Sequence, residues 1–229
     1  MLFPVSLRNA VGLSSGILSI NRLGRRVSIH FPGSPVGPQF DRLLSGNFVS
    51  LDDPRYPCPT TKSTKRTRKE AEEELNLSLK RLKTDYVDLW QIHSVNEKEE
   101  VQEIFAPRGA IEAFEAAKKA GKCRFIGFTG HHDPTIHLEM LKAYDKYDTI
   151  LMPLHIADPA YLSFEKQVLP LAVERGMGIQ RMKNFANAKL LQSFSAPECL
   201  GYVLSLPIHC TAIGCTTIGQ LEDDVRIAQ

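Results

Sequence analysis

His93 closes the apolar run Val87-Asp88-Leu89-Trp90-Gln91-Ile92, in which successive residues alternate between two faces. In a barrel of parallel strands, a titratable residue at a strand's C-terminal end lies on the face where chemistry is done. His131 or His132, and His155, fall just beyond the ends of later apolar runs. Three neutral imidazoles meeting on one face could hold zinc and activate a water molecule, which would make a metallohydrolase. Barrel hydrolases usually add carboxylate ligands, and none is evident at these ends. Lys62 closes the shorter run Thr60-Thr61-Lys62. It also belongs to a basic group with Lys65, Arg66, Arg68 and Lys69, and such a group usually reads as a solvated face.

Regular elements must position these side chains. Thr67-Arg68-Lys69-Glu70 is a capping box that opens a helix with Ala71, Leu75, Leu79 and Leu82 on one face. After the strand ending at His93, residues 96–108 read as a polar loop. Ile111 to Ala120 is a helix closed by Gly121, and Arg124 to Gly130 is a short apolar strand and turn. Asp133-Pro134 starts a helix running to about Tyr147. A strand at Thr149–Leu154, a helix at Phe164–Arg175 interrupted by Pro170, and a strand at Gly178–Met182 follow. Ser195-Ala196-Pro197-Glu198 opens the next helix, Cys210–Gly214 is a strand, and Thr217-Ile218-Gly219-Gln220 opens the last helix. Strands alternating with helices indicate βαβ units and a parallel sheet buried on both faces. An open doubly wound sheet should carry G-x-G-x-x-G after its first strand, and that motif is absent.

A chain of 229 residues is long enough for one α/β barrel, and 43% hydrophobic residues supply a core. The formal net charge of +2 argues against nucleic acid or a membrane surface as the main partner. No apolar run approaches the ~18 residues of a membrane span. The five cysteines are odd in number and form no C-x-x-C pair, so no metal is expected from them. Free thiols in a reducing, cytoplasmic setting are the simplest reading. Residues 1–59 differ in kind. No acidic residue precedes Asp41, arginines sit among serines as in a transit peptide, and prolines interrupt the rest. They read as an irregular segment outside the domain at 60–229, with a miscalled start or shifted frame favoured over a leader.

Residues 60–229 resemble the C-terminal two-thirds of an aldo/keto reductase. The resemblance is carried by Thr60-Thr61-Lys62, the Lys80–His93 segment, Phe125-Ile126-Gly127-Phe128-Thr129-Gly130, Met177-Gly178-Ile179-Gln180 and the run from Gly214 to Val225. It implies a partial (β/α)8 TIM barrel without its first two βα units, and NADPH-dependent reduction of a small aldehyde or ketone. By that resemblance His93 is the histidine that orients the substrate carbonyl. Lys62 is the lysine that, with an aspartate, lowers the pKa of a proton-donating tyrosine. Thr129 and Gly130 fall where the nicotinamide carboxamide is held. Lys183, Gly214, Thr216, Gln220 and Asp224 fall on the pyrophosphate and adenosine-phosphate side. Gln220 replaces a common arginine, which leaves NADH as an alternative to NADPH.

The resemblance also implies an aspartate and a tyrosine upstream, and no F-F-D-T-A…Y-G segment is present; Asp52, Asp53 and Tyr56 only imitate one. Activity is therefore expected to be impaired. The alternatives are an inactive truncated product or pseudoenzyme, and the histidine-liganded zinc hydrolase. Arg181, on the seventh strand, is expected either to pair outside the barrel or to obstruct the cofactor path. The substrate is left open.

Overall fold

The computed structural model describes residues 16–21, 27–30 and 60–228, the first two stretches as backbone strands. In chain order the elements are β1 (Gly16–Asn21), β2 (Val27–His30), β3 (Thr60–Ser63), α1 (Arg68–Leu82), β4 (Val87–Ile92), α2 (Lys98–Phe105), α3 (Ala110–Lys119), β5 (Cys123–Thr129), α4 (Pro134–Ala143), β6 (Thr149–Pro153), α5 (Phe164–Gln167), α6 (Leu169–Glu174), β7 (Gly178–Met182), α7 (Ala196–Leu204), β8 (Cys210–Cys215) and α8 (Ile218–Ile227). One sheet contains all the described strands in the order β2-β1-β8-β7-β6-β5-β4-β3. From β3 to β8 every pairing is parallel, and these six strands curl into a part-barrel with helices between them. β1 lies antiparallel on β8, and β2 antiparallel on β1. The sequence suggests no regular element before Thr60, so these two strands add to that reading; the rest of residues 1–59 lies outside the described residues.

Registers sort the side chains by face. Lys62, Gln91, Gly127 and Thr149 are aligned from strand to strand. Gln91 Nε2 donates to Gln180 Oε1 at 3.0 Å and to Thr149 Oγ1 at 3.4 Å, which marks this row as the concave face. Trp90, Ile126, Ile150 and Ile179 alternate with it and are fully buried on the helix side. Trp90 stacks on Phe114 of α3, with ring centroids 3.6 Å apart and planes 9° apart. Burial on both faces explains why these strands read as near-continuous apolar runs.

Two local expectations change. Residues 96–108 are not all loop: Lys98–Phe105 forms α2, capped by Glu97 and Glu100, and buries Val101 and Ile104. Two apolar residues at i and i+3 dock a helix that charge otherwise hides. The helix after Asp133 ends at Ala143, because Tyr144 is already extended. Pro170 splits the next segment into α5 and α6. The capping boxes at Ser195 and Thr217 form as read. At Thr67 the hydroxyl caps the Glu70 N–H and also donates to the Glu70 carboxylate at 2.6 Å.

Candidate active site at the strand ends

Lys62, His93 and Thr129 come from neighbouring strands and meet at their C-terminal ends. Lys62 is surface-exposed, yet loss of hydration at the strand end pulls its pKa below the ordinary value. The half-buried His93 is also held below its ordinary value. Desolvation is the largest cause, the charges of Lys62, Arg66 and His131 add to it, and Glu74 opposes. His93 is therefore neutral near pH 7 and able both to donate and to accept a hydrogen bond.

The end of β4 is held from both sides. The His93 N–H donates to the Ser63 carbonyl at 2.7 Å. Ser94 turns into the left-handed region at φ 56°, which directs its N–H to Thr129 Oγ1 at 2.9 Å. The same hydroxyl lies 2.8 Å from His93 Nδ1. From the other side, Arg66 Nη2 donates to the carbonyls of His93 (2.9 Å) and Ser94 (3.0 Å) and to Glu100 Oε1 (2.8 Å). Arg66 Nε donates to the same carboxylate oxygen at 3.1 Å. Glu100 Oε2 accepts the N–H groups of Asn96 at 2.7 Å and Glu97 at 3.1 Å. Burial alone would raise the Glu100 pKa, but these N–H groups and the guanidinium bring it below the usual value. The sequence reading placed Arg66 in a solvated basic group. Its partner Glu100 lies across a strand and a helix in the chain, so no local spacing reveals the pair.

Gly130 is required where it stands. A Cβ there would run into the Val95 carbonyl and approach His137 Cε1 at 2.7 Å. On the β7–β8 side, Lys183 and Gly214 remain open to a ligand. Lys183 is half-buried and donates to Asn187 Oδ1 at 2.8 Å. A Cβ on Gly214 would meet only open space, and Thr216 is exposed. Gln220 and Asp224 are occupied otherwise. Gln220 Oε1 accepts from Thr216 N, Thr216 Oγ1 and Thr217 N at 2.8, 3.0 and 3.3 Å. Asp224 is buried against Cys215, whose thiol donates to it at 3.4 Å, and burial raises the carboxyl pKa.

The histidines do not converge. His131 is exposed and 3.2 Å from Asn96 Oδ1, and His132 lies 3.6 Å from Glu97. Among the described residues, no three His, Cys, Asp or Glu side chains come together as a metal site. Arg181 neither pairs nor enters the concave face. Aligned with Met152 and Thr211 on the helix side, it is fully buried, and none of its guanidinium nitrogens has a partner. None of the described tyrosines bonds to Lys62 or His93, and Asp52, Asp53 and Tyr56 lie outside the described residues.

Residues 57–197 match the Aldo/keto reductase family. The chain belongs to the aldo/keto reductase family. Among curated relatives, it is 31% identical over 105 residues to the uncharacterized oxidoreductase YrpG of Bacillus subtilis, covering 44% of this chain and 30% of that protein. It is 33% identical over 106 residues to the aldo-keto reductase YhdN of the same organism, covering 44% of this chain and 27% of that protein. The matched part thus spans less than a third of each relative's length. Among solved structures, the holo form of aldo-keto reductase AKR11C1 from Bacillus halodurans superposes with a TM-score of 0.62 at 23% identity, covering 78% of this chain and 68% of that one. An aldo-keto reductase from Klebsiella pneumoniae solved with NADPH gives 0.60 at 19% identity, covering 78% and 66%. These structures share the fold of this reductase-family chain, whose strands place Lys62, His93 and Thr129 at one barrel end.

Proposed function

We propose that this chain is an oxidoreductase of the aldo/keto reductase type, acting on a small aldehyde or ketone with NADPH, and that residues 60–229 form its reductase unit. The observation that carries this reading is a neutral His93 beside Lys62 at the ends of adjacent parallel strands, fixed by Thr129 and Arg66. His93 would hold the carbonyl oxygen by a hydrogen bond, and the Lys62 ammonium would favour the negative charge that develops there. NADPH supplies hydride when bound. Gly214 and Thr216, which precede the first turn of α8, and Lys183, which follows β7, would hold its phosphates, because a helix N-terminus favours an anion and Gly214 leaves room for one. Gln220 and Asp224 contribute through α8's own structure.

Cys123, Cys199 and Cys215 are buried free thiols, and no described helix is long and apolar enough to cross a membrane. A cytoplasmic setting is part of the proposal, supported by the buried thiols. Impaired turnover is part of the proposal, because no described tyrosine stands ready to give the oxygen a proton. That same observation favours a second reading, a family member that binds NADPH without reducing carbonyls.

Calorimetric titration with NADPH, followed by an assay of NADPH oxidation with an aromatic aldehyde, separates the two. Binding with turnover that is lost in His93→Ala supports the reductase. Binding without turnover supports the second reading, and no binding ends both.

A further inference from the structure

The resemblance puts Thr129 at the nicotinamide carboxamide, but its hydroxyl is already engaged within the protein. It is almost completely buried, at 1% exposure. Its oxygen accepts the Ser94 N–H at 2.9 Å and lies 2.8 Å from His93 Nδ1. The Thr129 carbonyl accepts the Val95 N–H at 2.8 Å, so the residue is tied to the β4 end by backbone as well as side chain. A threonine hydroxyl has one proton and two lone pairs. If His93 Nδ1 carried a proton, the Thr129 oxygen would accept twice, and its own proton would be buried with no acceptor. If Nδ1 is bare, the hydroxyl proton has an acceptor and every group is satisfied.

We propose that Thr129 is a positioning residue that holds His93 as the Nε2–H tautomer. This rests on the reductase reading for its purpose: the Nε2–H is then the donor offered to the substrate carbonyl oxygen. Nε2 makes no hydrogen bond within the described protein, which leaves that N–H for a ligand. One lone pair of Thr129 also remains, so a role toward the nicotinamide carboxamide is compatible with this one. The ring's other restraint acts on its backbone: Arg66 fixes the His93 carbonyl and leaves the choice of tautomer to Thr129.

The test is ring-nitrogen NMR of the full chain labelled with 15N-histidine, near neutral pH and without NADPH, with His93 assigned by the signal lost in His93→Gln. The expected spectrum shows Nδ1 as a bare acceptor and Nε2 protonated. Thr129→Ser keeps this pattern. Thr129→Val draws the two nitrogen shifts together as both tautomers become populated. A protonated Nδ1 in the parent chain overturns the proposal, as does a folded Thr129→Val with an unchanged pattern. If Thr129→Val does not fold, the parent chain and Thr129→Ser decide. Because NADPH is absent, failure of the reductase reading shows itself separately, in the calorimetric titration.

Discussion

Arg66 and Arg181 both place a guanidinium against a parallel strand, and the sheet treats them differently. Arg66 lies where strands end and carbonyls are free. It makes four hydrogen bonds, to two carbonyls and a carboxylate. Arg181 is the next-to-last residue of β7, still paired to both neighbouring strands, and its side chain faces a helix layer with no acceptor for it. Burial pulls its pKa from 12.5 down to about 9. A strand's alternation thus fixes which face a residue takes even when its chemistry suits the face poorly. The free carbonyls just beyond β4 give a cation partners that the helix side of β7 does not.

The largest test of that contrast is Arg181→Met. Removing a buried cation without a partner, while keeping an apolar stem, should stabilise the fold by ~3–5 kcal/mol. Urea denaturation followed by circular dichroism would measure it; a loss of stability would mean that Arg181 has a partner in solution.

His137 sharpens the contrast, because it is buried but can shed its charge. Wedged between Phe128 and Phe164, its pKa falls from 6.5 to about 4 through burial. The unfolded chain therefore binds the extra proton between those two values. Its contribution to stability is intact above pH 6.5 and declines as pH falls toward 4, by up to ~3 kcal/mol. His137→Leu should flatten that slope in melts taken across the same pH range.

Arg66→Met should cost ~2 kcal/mol in the same denaturation experiment, since it removes hydrogen bonds to a charged partner. It should also raise the His93 pKa, because a neighbouring cation is lost, and NMR titration reads that directly. The smallest effect is expected at Gln220. If it serves only as a cap, Gln220→Ala costs ~1 kcal/mol in Tm-derived stability and leaves NADPH affinity unchanged. A large loss of affinity would instead return Gln220 to the cofactor site.

What could be read from the chain follows the same division between local pattern and distant pairing. β4 to β8 were legible because each is a short, largely apolar run bounded by caps and turns, whereas β3 is polar and is reached only through the resemblance. The caps at Ser195 and Thr217 were legible because both partners lie within four residues. The helix at Lys98–Phe105 was hidden by charge, with only Val101 and Ile104 to dock it. His93 stands out by its place at the end of an apolar run and Lys62 through the resemblance, and the structure sets them at the ends of adjacent strands. The bond from Thr129 to His93 and the pair of Arg66 with Glu100 join residues far apart in the chain. No spacing rule reports them. Gln220 carried two legible meanings, a cap and a phosphate contact, and the structure uses the first.

The stack of Trp90 on Phe114 has an optical consequence. Trp90 is the only tryptophan, and it lies on the side of β4 opposite to Gln91 and the concave row. Its emission should be that of an indole sealed from water, and it should shift to the red only when α3 lifts from the sheet. Intrinsic fluorescence of this protein is therefore a clock for the opening of its helix layer. A ligand bound at the strand ends would leave that clock running at the same wavelength.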